Sequence, residues 1–319
     1  MATLHHASLW PRLHWLTMIV PSPYAAQLDA IPVTTQTLEL AGSRTAVWVY
    51  GAADADTTVV MVHGFRGDHH GLEPIVAQLP GYRTVLADLP GFGESTPLAK
   101  ASDIDGYSEW LVDLVAAVRG PGRTVVLGHS FGSIVVSAAL ERGLDADDIV
   151  LVNPIAAPAL SGPRGILTRL AVFYYWASAQ LPERAGFVLV KSPIVTRIMS
   201  VTMAKTRSKP LRRWIHNQHD RYFSAFSNRD VVLDAFRASI SHDVSQYAGA
   251  NHTRTLLIAG DRDDITPVAA QHRLQQSIAG ARLVVLAGVG HLVHYERPAE
   301  VAAAITDFLD DDATTEPRS

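Results

Sequence analysis

The chain has 319 residues, 27 Lys+Arg against 31 Asp+Glu, and a formal charge of −4 at pH 7. That near-balance argues against a dedicated nucleic-acid binder, which usually carries a strong basic excess. Cysteine is absent, which excludes disulfides, Cys-ligated metal centres and a thiol nucleophile.

With 48% hydrophobic and 18% charged residues, the composition is that of a globular chain with a sizeable core. At the N-terminus, Leu9 to Val20 is apolar but interrupted by Pro11, Arg12 and His14. No Lys/Arg cluster precedes it, and Ala25-Ala26-Gln27 only loosely resembles a cleavage site. The expectation is a cytoplasmic chain with no transmembrane segment, in which 1–32 is an N-terminal extension.

Val47 to Tyr50 and Thr57 to Val62 are expected as early strands. The second is a near-continuous apolar run, as a strand buried on both faces should be. The pattern recurs at Thr84 to Ala87, Val125 to Leu127, Ile149 to Val152, Leu256 to Ala259 and Leu283 to Leu286. Between these runs the spacing predicts helices over Leu72 to Leu79, Tyr107 to Val118, Ser133 to Glu141, Val268 to Ile278 and Pro298 to Leu309. Pro267 and Pro298 suit a first helical turn, where the missing N–H is no loss. The alternation predicts an α/β fold: a mostly parallel central sheet with helices on both faces. From about Ile155 to Val244 no buried strand appears. Helical segments separated by Pro163, Pro182, Pro193 and Pro210 predict an all-helical insertion above the sheet. The expected division is a core of 33–154 and 246–310, an insertion of 155–245 and a flexible tail of 311–319.

Chemistry concentrates at four strand ends. Gly128-His129-Ser130-Phe131-Gly132 follows an apolar run and precedes a helix. A sharp strand-to-helix turn exposes a serine Oγ where backbone N–H groups converge, and flanking glycines permit the close packing. Gly260-Asp261-Arg262-Asp263-Asp264-Ile265-Thr266-Pro267 offers three carboxylates, any of which could orient an imidazole; Asp264 and Thr266 also suit capping of the next helix. Gly288-Val289-Gly290-His291 places a histidine, the natural base near neutral pH, after the last strand, with His294 as its nearest rival. His63-Gly64-Phe65-Arg66-Gly67 is a turn whose N–H groups could face a developing oxyanion, with His63 expected to brace loops. His69-His70 and His5-His6 are adjacent pairs whose side chains are expected to diverge, so no metal site is expected.

Together with Asp88-Leu89-Pro90-Gly91-Phe92-Gly93-Glu94-Ser95, these motifs resemble the α/β-hydrolase superfamily, over roughly Val33 to Leu309 apart from the insertion. The resemblance implies Ser130 as nucleophile, His291 as general base and, through the pattern G-x-x-D-x-x-x-P, Asp263 as the acid. Some relatives place the acid after the strand that follows the nucleophile helix; Asn153 stands there and carries no charge. The backbone N–H groups of Phe65 and Phe131 would form the oxyanion hole, and the Asp88 to Ser95 loop would be structural. The implied activity is cofactor-independent, metal-free cleavage of a hydrophobic carboxylic ester through an acyl-enzyme. C–C bond hydrolysis of ring-cleavage products, thioester, amide or perhydrolase chemistry, and ligand sensing on the same frame are the alternatives. Epoxide hydrolases and haloalkane dehalogenases of this fold use aspartate as nucleophile, and Ser130 sets this chain apart from them.

An insertion at this place resembles the superfamily's cap, or lid, over the substrate. It is rich in large apolar groups, which could pack the cap or line an apolar acyl pocket. It is also basic: 155–245 carries 13 Lys+Arg and 5 acids, a balance of +8 against −12 elsewhere. Such a balance fits attraction between cap and body, or attraction to an anionic substrate or a membrane surface. The expected partner is a small hydrophobic substrate.

Overall fold

The computed structural model describes residues 19–158 and 165–313. Eight strands form one sheet: β1 (Val33–Leu40), β2 (Ser43–Tyr50), β3 (Thr57–Val62), β4 (Arg83–Ala87), β5 (Arg123–His129), β6 (Asp148–Val152), β7 (Arg254–Gly260) and β8 (Arg282–Leu286). Their order is β1-β2-β4-β3-β5-β6-β7-β8. β2 is antiparallel to both neighbours, and every other pairing is parallel.

The described helices are α1 (Ala25–Asp29), α2 (Glu73–Val76), α3 (Ile104–Val118), α4 (Phe131–Glu141), α5 (Gly165–Gln180), α6 (Glu183–Val190), α7 (Pro193–Met203), α8 (Lys209–Tyr222), α9 (Arg229–Ser241), α10 (Val268–Ser277), α11 (Val293–Glu296) and α12 (Pro298–Ala313). The side chains of the central strands divide between two cores. Val60, Val62 and Val126 pack with α3 and α4 on one face. Val59, Met61, Val125 and Leu127 pack with α2 and α12 on the other. This two-sided burial is why the central strands are continuous apolar runs rather than alternating ones.

β1 lies outside the expected strands. It is an edge strand, VTTQTLEL, exposed along most of its length, so it lacks the apolar run that marks its neighbours. The expected helix over Leu72 to Leu79 is shorter: a 3-10 turn over His69–Gly71 leads into the four residues of α2. The expected flexible tail is corrected at its start, because α12 continues to Ala313 and Asp311 pairs with Arg282 at 2.6 Å. The part of the N-terminal extension that is described packs on the body. Ile31 is buried, and the Tyr24 hydroxyl donates to the Tyr295 carbonyl at 2.8 Å. The pair His5-His6 and most of Leu9 to Val20 lie outside the described residues.

Between β6 and β7 the chain forms α5 to α9 and a 3-10 turn over Val244–Ala250. Where the helical excursion begins and ends, the Val244 amide donates to the Ile155 carbonyl at 2.8 Å. Its weight falls over the Ser130 end of the sheet. Tyr175 of α5 and Phe236 of α9 lie 6.0 Å, centroid to centroid, from Phe65, which is edge-on to Phe131 at 6.5 Å.

Candidate active site

Ser130 occupies the turn between β5 and α4. Its φ of 53° and ψ of −116° lie in a region that side chains rarely adopt, and strain of this kind clusters at functional sites. Two glycines make the turn possible. A Cβ on Gly128 would lie 2.5 Å from the Gly132 carbonyl oxygen, and a Cβ on Gly132 would lie 2.4 Å from the Val62 carbonyl oxygen. The strand-turn-helix thus folds tightly against β3, and the His63–Gly67 turn comes with it: a Cβ on Gly64 would sit 3.2 Å from Ser130 Cβ. Neither the Phe65 nor the Phe131 amide has a backbone acceptor among the described residues.

The structure brings Ser130, Asp263 and His291 together from the ends of β5, β7 and β8. His291 Nε2 is 2.7 Å from Ser130 Oγ, and His291 Nδ1 is 2.8 Å from Asp263 Oδ2. A carboxylate can only accept, so Nδ1 holds the ring proton and Nε2 accepts from the serine hydroxyl. Asp261 and Asp264 do not enter this chain: Asp261 accepts the Gly288 amide at 2.7 Å, and Asp264 pairs with Lys205 at 2.6 Å. His294 is buried beside His129, ring centroids 4.0 Å apart.

Asp263 is held by more than the histidine. Its Oδ1 accepts the Ile265 and Thr266 amides at 2.8 and 3.1 Å, and its Oδ2 accepts the Thr266 hydroxyl at 2.6 Å and Asn153 Nδ2 at 2.5 Å. Burial alone would raise the carboxyl pKa. The His291 charge and these donors outweigh it and hold the group well below the usual carboxylate range. The expectation that Asp264 and Thr266 cap α10 is corrected here. The residue before that helix is Pro267, with no side-chain cap, and Asp263 takes up the neighbouring amides instead.

Three further residues, each in or at a motif named above, shape the site in roles that the sequence does not assign them. Asn153 ends β6 at φ 45° and spans Asp263 and the Gly290 carbonyl, the latter at 3.3 Å; it fills the alternative acid position as a donor. His129 is pushed down to about 3 by burial and then by the neighbouring His291. It therefore stays neutral and donates from Nε2 to the His291 carbonyl at 3.3 Å. Arg66 follows Phe65 with φ 66° and is fully buried. It reaches into the helical insertion, where Nε donates to the Phe223 carbonyl, Nη1 to the Tyr175 hydroxyl, and Nη2 to the Val190 carbonyl and Ser224 Oγ, all at 2.8–3.2 Å.

His63 braces two loops: Leu89 N–H donates to its Nε2 at 2.9 Å, so Nδ1 carries the proton given to the Gly64 carbonyl. Asp88, fully buried, accepts the His69 amide and ring, and the Glu94 amide. The expected divergence of His69 and His70 is corrected. Both lie in the 3-10 turn, which brings their rings within 3.9 Å of each other, tilted by 35°, with His69 stacked on Trp48 and His70 on Tyr222. Asp68, His69 and His70 thereby offer ligand atoms within 4.8 Å of one another. Their Nδ1 atoms are already committed, His69 to Asp88 and His70 to Asp68.

The arrangement can relay a proton from the serine hydroxyl to an imidazole whose charged form a buried carboxylate stabilises. Comparison with known proteins bears on the family of the chain. Residues 59–304 match the Alpha/beta hydrolase family. Lipase 1 of Psychrobacter immobilis is 24% identical over 274 residues, 84% of this chain and 81% of the relative. Epoxide hydrolase A of Mycobacterium tuberculosis is 28% identical over 294 residues, 79% of this chain and 89% of the relative. The esterase of Exiguobacterium antarcticum superposes with a TM-score of 0.71 at 18% identity, covering 87% of this chain and all of that one. The chain belongs to the Alpha/beta hydrolase family and is a hydrolase.

Proposed function

We propose that this hydrolase is a serine esterase, cleaving a hydrophobic carboxylic ester through an acyl-enzyme. The observation that carries the proposal is the unbroken chain Ser130 Oγ–His291 Nε2, His291 Nδ1–Asp263 Oδ2, at 2.7 and 2.8 Å. Ser130 Oγ attacks the ester carbonyl carbon while its proton passes to His291 Nε2. The oxyanion is received by the Phe65 and Phe131 amides, whose lack of a backbone acceptor leaves them available. His291 then gives its proton to the departing alkoxide as the carbon–oxygen bond breaks. Water repeats the sequence: its proton goes to His291, its oxygen to the acyl carbon, and the acid leaves as the proton returns to Ser130.

A serine at the nucleophile position supports ester cleavage over the epoxide chemistry of the relative named above. The aromatic cluster of Phe65, Phe131, Tyr175 and Phe236 supports an apolar substrate. In this reading the helices between β6 and β7 act as the cap. A fluorophosphonate probe tests the proposal: wild type should be labelled and Ser130→Ala should not. p-Nitrophenyl esters of graded chain length should then turn over, with longer acyl chains preferred. A folded wild-type protein that neither reacts with the probe nor hydrolyses any of these esters refutes the reading.

A further inference from the structure

Eight of the twelve large hydrophobic side chains most exposed among the described residues lie between Leu170 and Val201. On α7, Ile194, Ile198 and Val201 are exposed by 70%, 60% and 58%. Their spacing of four and three residues makes one continuous stripe along the helix. The buried residues of the same helix, Thr196 and Ser200, are polar. The helix thus buries two hydroxyl side chains while it leaves three aliphatic ones in water, where a helix selected to face water carries polar groups. Thr196 and Ser200 are held by Ser224, His216 and His219, so this orientation is fixed by hydrogen bonds.

Next to the stripe lies strong positive charge. Arg197, one residue from Ile198, shares an open cleft of about 420 Å³ with Lys209, Arg212 and Arg213 of α8. Asp220 also lines the cleft and pairs with Arg197; His216 and Asn217 complete its polar wall. A protein partner recognised by apolar contact alone would not need this rim. A bilayer bearing anionic headgroups needs both halves: acyl chains accept the stripe and headgroups meet the cations. As one stretch, Glu183–Met203 has the length and apolar composition to cross a hydrocarbon core of about 20 residues, but it is broken between α6 and α7 at Lys191-Ser192, and Thr196 and Ser200 are hydrogen-bonded to the rest of the insertion, so the surface lies on the membrane.

We propose that the α7–α8 surface docks this protein on an anionic phospholipid bilayer, with Ile194, Ile198 and Val201 inserted among the acyl chains and Lys209, Arg212 and Arg213 on the headgroups. Docking is independent of the catalytic reading, because neither the stripe nor the cleft includes Ser130, Asp263 or His291.

The test is cosedimentation of the full chain, carrying Ser130→Ala, with vesicles of phosphatidylcholine alone or with about one third phosphatidylglycerol. The protein should bind the mixed vesicles and release as salt screens the headgroups. Arg212→Gln/Arg213→Gln should weaken binding by about 30-fold, at roughly fivefold per charge near the surface. Ile194→Ser/Ile198→Ser should weaken it at least tenfold at every salt concentration. All these side chains are exposed, and unchanged thermal unfolding verifies that the variants are folded. Failure to bind either vesicle at low salt overturns the proposal. So does binding that the apolar pair leaves unchanged. A concentration-dependent dimer that Ile194→Ser/Ile198→Ser abolishes, without vesicle binding, overturns it in favour of a second copy of the chain.

Discussion

Arg66→Met isolates a competition that the structure makes unusually sharp. The guanidinium is fully buried, donates to four acceptors and has no carboxylate partner among the described residues. Charge-assisted hydrogen bonds contribute about 1.5–3 kcal/mol each, so four amount to a gross term on the order of 10 kcal/mol. Burying an unpaired cation costs several kcal/mol in the other direction. Methionine removes both terms. The Ser224 hydroxyl keeps a partner in Thr196 Oγ1 at 3.2 Å, and the Tyr175 hydroxyl can rotate. The Phe223 and Val190 carbonyls lose their Arg66 donors, and an unsatisfied buried group costs about 1–3 kcal/mol. The expected net destabilisation is about 2–5 kcal/mol. Urea titration followed by circular dichroism measures it, with the midpoint falling at nearly constant slope. Hydrolysis of p-nitrophenyl esters should fall as well, because Phe65 precedes the anchor directly. A variant as stable as wild type, or more so, would mean that desolvation outweighs the four bonds, and would refute this account of how the insertion is fixed.

Asp263→Asn keeps the shape of the acid but loses its charge, and should lower kcat by about 10⁴ on the triad precedent; a change under tenfold in ester turnover would contradict the role proposed for it. Asn153→Ala removes the donor at 2.5 Å from Asp263 and should lower kcat with little change in KM, read from steady-state kinetics. Gly132→Ala drives a Cβ into the Val62 and His63 carbonyls at 2.4 and 2.7 Å, both backbone, and should cost more than about 3 kcal/mol, visible as a lowered melting temperature. The pH dependence of stability has a definite sign. Burial holds His129 and His219 down to about 3, against an ordinary 6.5. Their contribution is complete above pH 6.5 and drains as pH falls toward 3, at about 1.4 kcal/mol per pH unit for each histidine. His219→Gln should reduce proton uptake on unfolding at pH 5 by close to one, measured from the slope of stability against pH.

What the sequence disclosed follows from where side chains lie. The strands from β3 to β7 are bracketed by helices on both faces, so their apolar runs stand out, and the motifs at their ends can be located from them. β1 is an exposed edge and has no such mark. The register of G-x-x-D-x-x-x-P picks Asp263 from three aspartates, and the structure puts that one, not Asp261 or Asp264, against His291. The donors that hold Asp263 are a different matter. Asn153 lies 110 positions away, and nothing local to β6 indicates what its amide will meet. Arg66 stands in a glycine turn, and nothing in that turn indicates the four insertion acceptors that close around it. The close approach of the His69 and His70 rings depends on a 3-10 turn, whose formation adjacency alone does not foretell.

The hydrogen bond from the Val244 amide to the Ile155 carbonyl gives the molecule the layout of a bulb on a narrow stem. The excursion leaves the sheet and rejoins it at one point, so its length is uncoupled from the geometry of β6 and β7. Doubling a closed loop adds only about 0.6 kcal/mol of closure entropy. A helical segment of different size can therefore be spliced between those two residues while β5, β7 and β8 keep Ser130, Asp263 and His291 in place. Such a graft must replace what the insertion gives the body: acceptors for Arg66, a cation for Asp264 and an amide for Glu296, both from Lys205 here, and the backbone bonds of Ala225 and Ser227 with Gly93 and Gly91. On the proposed reading of these helices as the cap, substrate preference becomes an exchangeable part of this chain, and the bond-breaking chemistry a fixed one.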